Sequence, residues 1–114
     1  MIEVNQEAIS KERIDEWYTE WEKVSKQLNE AHTARNKMQS LELMQKGIAM
    51  YDKLLLDSAV TEAFIDADFE LYPINGKERL QFIKARPAQF ASFRQLDELY
   101  KETKKRAARL RLKK

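Results

Sequence analysis

Residues 10–31 read SKERIDEWYTEWEKVSKQLNEA, and their spacing decides the fold. The apolar positions are Ile14, Trp17, Trp21, Val24, Leu28 and Ala31, separated by alternating steps of three and four. Such steps line side chains along one stripe of an α-helix. Ser10 precedes the stripe, where its hydroxyl can accept from the backbone N–H groups that a first helical turn leaves unpaired. A helix over 10–31 is therefore expected.

The same reading extends along the chain. After HTARNK (32–37), read as a tight turn or a continuation, a second stripe runs from Ala34 through Met38, Leu41, Ile48, Tyr51 and Leu55, widened by Met44 and Leu54. It predicts a helix over 34–58. Gly47 inside it costs about 1 kcal/mol relative to Ala, so it is read as a place of close packing that Trp17 or Trp21 can fill. Residues 60–66 suit a short helix, and Phe69 and Leu71 an extended piece before Pro73. Asn75, followed by Glu78, is read as a capping box that opens a third helix. Pro87 stops that helix and suits the first turn of a fourth. The fourth carries Phe90, Phe93, Leu96, Leu99, Tyr100, Thr103, Ala107 and Leu110.

Composition supports the pattern. Only two Gly and two Pro occur in 114 residues, too few for the many turns of a strand-rich fold. The expected fold is all-α, an antiparallel bundle of three long helices and one or two short ones. Residues 1–9 form an N-terminal arm, 10–106 the bundle and 107–114 a basic C-terminal end. Trp17, Trp21, Phe64, Phe69, Phe82, Phe90 and Phe93 are expected to supply bulk to the core.

Absences narrow the chemistry. Without cysteine there is no thiol nucleophile and no thiolate metal site. His32 is the single histidine, so a di-iron site with paired Glu-x-x-His motifs is excluded. Two isolated glycines make neither a P-loop nor a dinucleotide turn. No enzyme activity, catalytic residue, metal or cofactor is expected. The opening MIEVNQEAISKER lacks a secretory h-region and no run approaches a membrane span, so a cytoplasmic location without membrane contact is expected.

Charge is unevenly placed. Residues 101–114 hold eight Lys/Arg against one Glu, while the first hundred residues carry a net of −5. Lys101, Lys104, Lys105, Arg106, Arg109 and Arg111 spread over too wide an arc for all to face the body. They are candidates for binding nucleic acid or another anion, set against a solvated helix end. Arg79, Lys84, Arg86 and Arg94 around Pro87 form a second cluster, for an anion or for pairing with acids such as Asp66 or Glu70. Asn75, Glu78 and Pro87 are structural candidates. The acids at Asp57, Glu62, Asp66, Asp68 and Glu70 are read as a solvated loop or a dock for the basic tail, in preference to a cation site. His32 is read as a helix-end or surface residue, and the Trp17–Trp21 pair as core.

Residues 72–102, YPINGKERLQFIKARPAQFASFRQLDELYKE, resemble the YpoC-like domain family of small bacterial proteins. The resemblance lies in Pro73, Asn75, Glu78-Arg79, Ile83, Arg86-Pro87, Phe90, Phe93, Gln95-Leu96 and Glu98-Leu99. Trp21-Glu22-Lys23, Arg35 and Met44-Gln45-Lys46-Gly47-Ile48 extend it more loosely, so that it covers roughly 21–105. It implies an all-helical fold, brings no catalytic residue with it, and carries an association with genes of DNA replication initiation and base-excision repair. The functional expectation is a non-enzymatic protein-interaction module. The alternative is a non-specific nucleic-acid binder acting through the basic C-terminal helix, linked to replication or repair.

Overall fold

The structure, a computed structural model, describes residues 1–112. A 3-10 helix at Gln6–Ile9 is followed by α1 (Lys11–Thr33), α2 (Lys37–Ser58), the short α3 (Gly76–Ala85) and α4 (Phe90–Leu112). The fold is an all-α antiparallel bundle of three long helices and one short one. Ser10 caps α1 as expected, its Oγ accepting from Arg13 N at 3.3 Å. The chain then reverses within three residues. Arg35 takes a left-handed conformation (φ 56°), and Asn36 N donates back to Ala31 O at 2.9 Å. These are the marks of a Schellman-type helix stop. Asn36 then caps α2 through Oδ1, which accepts from Gln39 N at 3.1 Å, so α2 starts later than the sequence pattern suggested.

Packing turns on Tyr100. Its ring lies 4.4 Å from Trp17 and 4.2 Å from Trp21, nearly parallel to both. Two indoles that close cannot share one face, so Tyr100 is sandwiched between them, which ties α4 to α1. Its hydroxyl donates to Gly47 O at 2.6 Å, which ties α4 to α2. Tyr51 Oη and Thr103 Oγ1, both buried, lie 2.6 Å apart in a hydrogen bond that either hydroxyl can donate. Burial holds the Tyr51 and Tyr100 hydroxyls well above the usual phenol range, so both stay protonated and structural. Trp21 Nε1 donates to Asp97 Oδ1 at 2.9 Å. Gly47 does admit Trp21, since a Cβ there would come within 2.6 Å of the indole.

Several expectations are corrected. The buried stripe of α2 is Ser40, Met44, Gly47, Tyr51, Leu55 and Ser58, whereas Met38 is 74% exposed. Ser40 and Ser58 enter the core because each hydroxyl bonds a carbonyl one turn back (Asn36 O, Leu55 O) and so carries no unpaired donor inside. Phe64, Phe82 and Phe90 are exposed, and of the expected phenylalanines Phe69 and Phe93 are buried. No helix forms at 60–66; residues 59–75 are irregular.

At the start of α3, Asn75 is left-handed (φ 57°) and its side chain makes no capping bond. The turn Pro73–Gly76, closed by Gly76 N to Pro73 O at 2.9 Å, sets that backbone, which carries the amide away from the first-turn N–H groups. Asn75 is there because Asn tolerates the left-handed region. The capping box with Glu78 does not form. Pro87 is not in a helix either. It follows Arg86 in a turn closed by Gln89 N to Arg86 O at 3.2 Å, and α4 starts at Phe90. Pro suits the second position of such a turn because its φ is already set.

The N-terminal arm is part of the fold. Ile2 N and O pair with Asp68 O and Glu70 N at 2.7 and 2.8 Å, and Asn5 N and Glu3 O pair with Ser58 O and Val60 N. Val4 and Ile9 join the core. The extended piece at Phe69 is thus held by the arm.

Candidate functional site

The sequence pointed to the end of α4, and most of its cations serve the fold. Arg106 Nε donates to Glu70 O at 3.1 Å and Arg111 Nη1 to Ile9 O at 2.9 Å. Lys104 Nζ lies 3.9 Å from Asp15 Oδ1 and 4.5 Å above the Tyr18 ring. Lys101 Nζ pairs with Asp97 Oδ2 at 3.1 Å, and that bond raises its pKa above the ordinary lysine value. Lys105 and Arg109 are exposed and form no hydrogen bond or ion pair with a described residue. Lys113 and Lys114 lie outside the described residues.

Nor does the helix change character at 107. Ala107 is fully buried, Leu110 is 2% exposed, and Gln6 Nε2 donates to Leu110 O at 2.8 Å. Burying one leucine stabilises by about 1.5–3 kcal/mol, far more than helix propensity alone supplies. The basic end is seated on the arm, not separate from the bundle.

The Pro87 cluster divides in the same way. Arg79 makes a forked pair with Glu102, Nη1 to Oε1 at 3.1 Å and Nη2 to Oε2 at 2.7 Å, and also reaches Ile74 O and Gln95 Oε1. That hydrogen bond is the main reason the Glu102 carboxyl sits below, and the Arg79 guanidinium above, their ordinary pKa values. Arg79 is thus the acid-pairing residue expected, with Glu102 as partner in place of Asp66 or Glu70. Lys84 pairs with Asp52 at 3.0 Å. Arg86 lies over the Phe82 ring at 5.8 Å, and Arg94 is exposed. The four do not converge on one anion.

His32 lies in the last turn of α1, at the helix end as expected, but half-buried against other rings instead of on the open surface. Its ring stacks on Phe93 at 5.7 Å and meets the edge of Phe90 at 5.2 Å. No group of three or more His, Asp or Glu poised for a metal occurs among the described residues. The acidic run meets the tail at the Glu70 carbonyl, which accepts from Arg106.

What sequence reasoning missed is the apolar surface beside those acids. Phe64 is 85% exposed and Val60 51%, with Leu56 next to them at 39%. Leu56, Glu62, Ala63 and Phe64 line an open recess of about 470 Å³. The signal was present in the sequence. Phe64 sits in a run from Asp57 to Glu70 with five acids and no base, and such a run does not favour burial.

These features define a small helical bundle whose core is closed by a Trp–Tyr–Trp stack. No helix among the described residues is long and apolar enough to cross a membrane. The chain belongs to the YpoC-like family: the YpoC-like protein family matches residues 11–114, beyond both ends of the stretch whose motifs pointed to it. No curated protein and no solved structure matches the chain.

Proposed function

We propose that this protein is a non-enzymatic interaction module that works in the cytoplasm. The observation that carries the reading is the exposed Leu56, Val60 and Phe64 surface within a base-free acidic segment. Burying a bare phenylalanine is favourable, and clustered exposed apolar side chains on a polar surface are typical of docking sites. The acids around them favour a protein surface that presents basic side chains about an apolar pocket. The alternative, nucleic-acid binding through the basic end of α4, keeps Lys105 and Arg109 in its favour. It loses support from Arg106 and Arg111, each of which is tied to the fold by a hydrogen bond to a backbone carbonyl.

A photo-crosslinking residue at position 64, introduced into the full-length chain in cells, tests the reading. A discrete protein adduct is expected. It should disappear with Val60→Asp and persist when the probe-bearing chain carries Lys105→Ala and Arg109→Ala. The crosslinked site should map to a basic-rimmed pocket in a soluble-fraction protein. An equal yield from a probe at Glu12, or an adduct with nucleic acid alone, would overturn it.

A further inference from the structure

Two stretches of the chain contain no acid. Residues 31–41 carry His32, Arg35 and Lys37, and residues 79–96 carry Arg79, Lys84, Arg86 and Arg94. They are far apart in sequence and the fold brings them together. The His32 contacts with Phe90 and Phe93 place the α1–α2 turn against the start of α4, at the end of the bundle opposite the N-terminal arm. Arg79 and Lys84 are matched by Glu102 and Asp52. Arg35, Lys37, Arg86 and Arg94 are exposed and enter no ion pair with a described residue. Glu30 and Glu42 flank the first stretch, and Glu78 and Asp97 the second.

Apolar rings share this end with the unmatched cations. Phe82 is 43% exposed and Phe90 49%, and the Arg86 guanidinium lies over the Phe82 ring. A single exposed phenylalanine needs no explanation. Two of them among four unpaired cations supply both halves of one recognition chemistry: cations for a phosphate backbone and flat rings for bases. A duplex keeps its bases stacked inside and offers the rings nothing to stack on. A single strand offers both.

We propose that this end of the bundle binds a short stretch of single-stranded nucleic acid, with Arg35, Lys37, Arg86 and Arg94 meeting phosphates and Phe82 and Phe90 carrying bases. The site is separate from the Phe64 surface and from the basic end of α4, and it stands or falls independently of the protein-docking reading.

The test is fluorescence anisotropy of the full-length protein with a labelled oligothymidylate of about ten nucleotides, long enough to cross one small domain. Four phosphate contacts give a log–log salt slope of about −3 for a single strand, and Arg86→Ala with Arg94→Ala should halve it. Phe82→Leu with Phe90→Leu should weaken binding about ten-fold or more while leaving the slope in place. These side chains are exposed, so circular dichroism should show every variant folded. Lys105→Ala with Arg109→Ala should leave both affinity and slope unchanged.

Four results overturn the proposal. The first is no binding at about 20 mM salt, where electrostatic contacts are strongest. The second is a loss that follows Lys105 and Arg109 instead of Arg86 and Arg94. The third is silence of the phenylalanine changes, which leaves only a charge patch. The fourth is equal binding to phosphatidylglycerol vesicles with the same dependence on Arg86, which assigns the surface to a membrane.

Discussion

Gly47→Ala should destabilise this protein, although in an ordinary helix interior the change stabilises by about 1 kcal/mol. The new Cβ would stand 2.6 Å from Trp21 Cζ3 and 3.3 Å from Trp21 Cε3 and Leu96 Cδ2. Leu96 can shift its methyl. Trp21 cannot move freely: its ring is stacked on Tyr100, its Nε1 is bonded to Asp97, and it is fully buried. Overpacking of this kind costs about 1–3 kcal/mol. Straining the hydrogen bond to a charged acceptor adds to that, since such bonds contribute about 1.5–3 kcal/mol when intact. Against the propensity gain, the net loss should be about 2 kcal/mol. Urea melts followed by circular dichroism would measure it, and Tm should fall by about 8 °C in a chain of this size.

The decisive comparison is the same change in a Trp21→Phe background. A phenyl ring does not reach as far as the indole, so the methyl meets only the Leu96 methyl, which can shift, and the propensity gain should survive. Gly47→Ala is then expected to stabilise by up to about 1 kcal/mol. A stabilising effect in the wild type, or the same effect in both backgrounds, would refute the argument that Gly47 is there for Trp21.

Asn75→Ala should cost about 1 kcal/mol in the same melts through left-handed strain, while Asn75→Gly should match or exceed the wild type; equal losses from both changes would return Asn75 to a capping role. The depressed pKa of Glu102 makes its pairing with Arg79 a source of stability that is present above the unfolded carboxyl value and lost as pH falls through the lower folded one. Glu102→Gln should therefore flatten the acid limb of the stability profile below about pH 4.5, and an unchanged limb would show that the pair does not contribute. Truncation after Thr103 removes Ala107, Leu110 and the bonds to Gln6, Ile9 and Glu70. It should cost about 4–6 kcal/mol, much of a small domain's stability, so the Tm should drop by well over 10 °C. A drop of only a few degrees would mean that the seating of Leu110 is energetically idle.

The parts of the fold that were legible in the sequence are those where the apolar face is narrow and the caps are local. The α1 stripe, the Ser10 cap and the α4 stripe from Phe93 to Leu110 all hold. The register of α2 was not legible, because its apolar residues surround most of the helix and its buried face includes two serines and a glycine. Small residues enter a core when a neighbour needs the room, and that depends on Trp21 and Tyr100, which are distant in sequence. The exposed phenylalanines were misread for a related reason. Aromatic content says that rings exist, but not that 59–75 is irregular and leaves Phe64 outside, that α3 buries Leu80 and Ile83 and leaves Phe82 on its outer face, or that α4 opens at an exposed Phe90. Legibility at the surface was limited by pairing. Nothing in KETKKRAARL says that Arg106 will find the Glu70 carbonyl, because Glu70 is held in place by Ile2 and Val4 at the other end of the chain.

That last point bears on where function is to be sought. Irregular segments leave backbone carbonyls without helical or sheet partners, and burying them unpaired is costly. Here the N-terminal arm and the 59–75 segment lie against the end of α4, and Arg106 and Arg111 supply donors to Glu70 O and Ile9 O. Long cationic side chains suit that task, because their donors reach past the helix surface while their stems cover apolar neighbours. Part of the basic charge at 101–114 therefore follows from the need to satisfy neighbouring backbone, with no anionic ligand required. The cations at the opposite end have no such acceptors. Arg35, Lys37, Arg86 and Arg94 flank two tight turns whose backbone is closed by its own hydrogen bonds, Asn36 N to Ala31 O and Gln89 N to Arg86 O. Positive charge that the fold leaves without an internal partner is the charge available to a ligand; Lys105 and Arg109 carry some of it on α4, and the share at Arg35, Lys37, Arg86 and Arg94 has two exposed phenylalanines beside it.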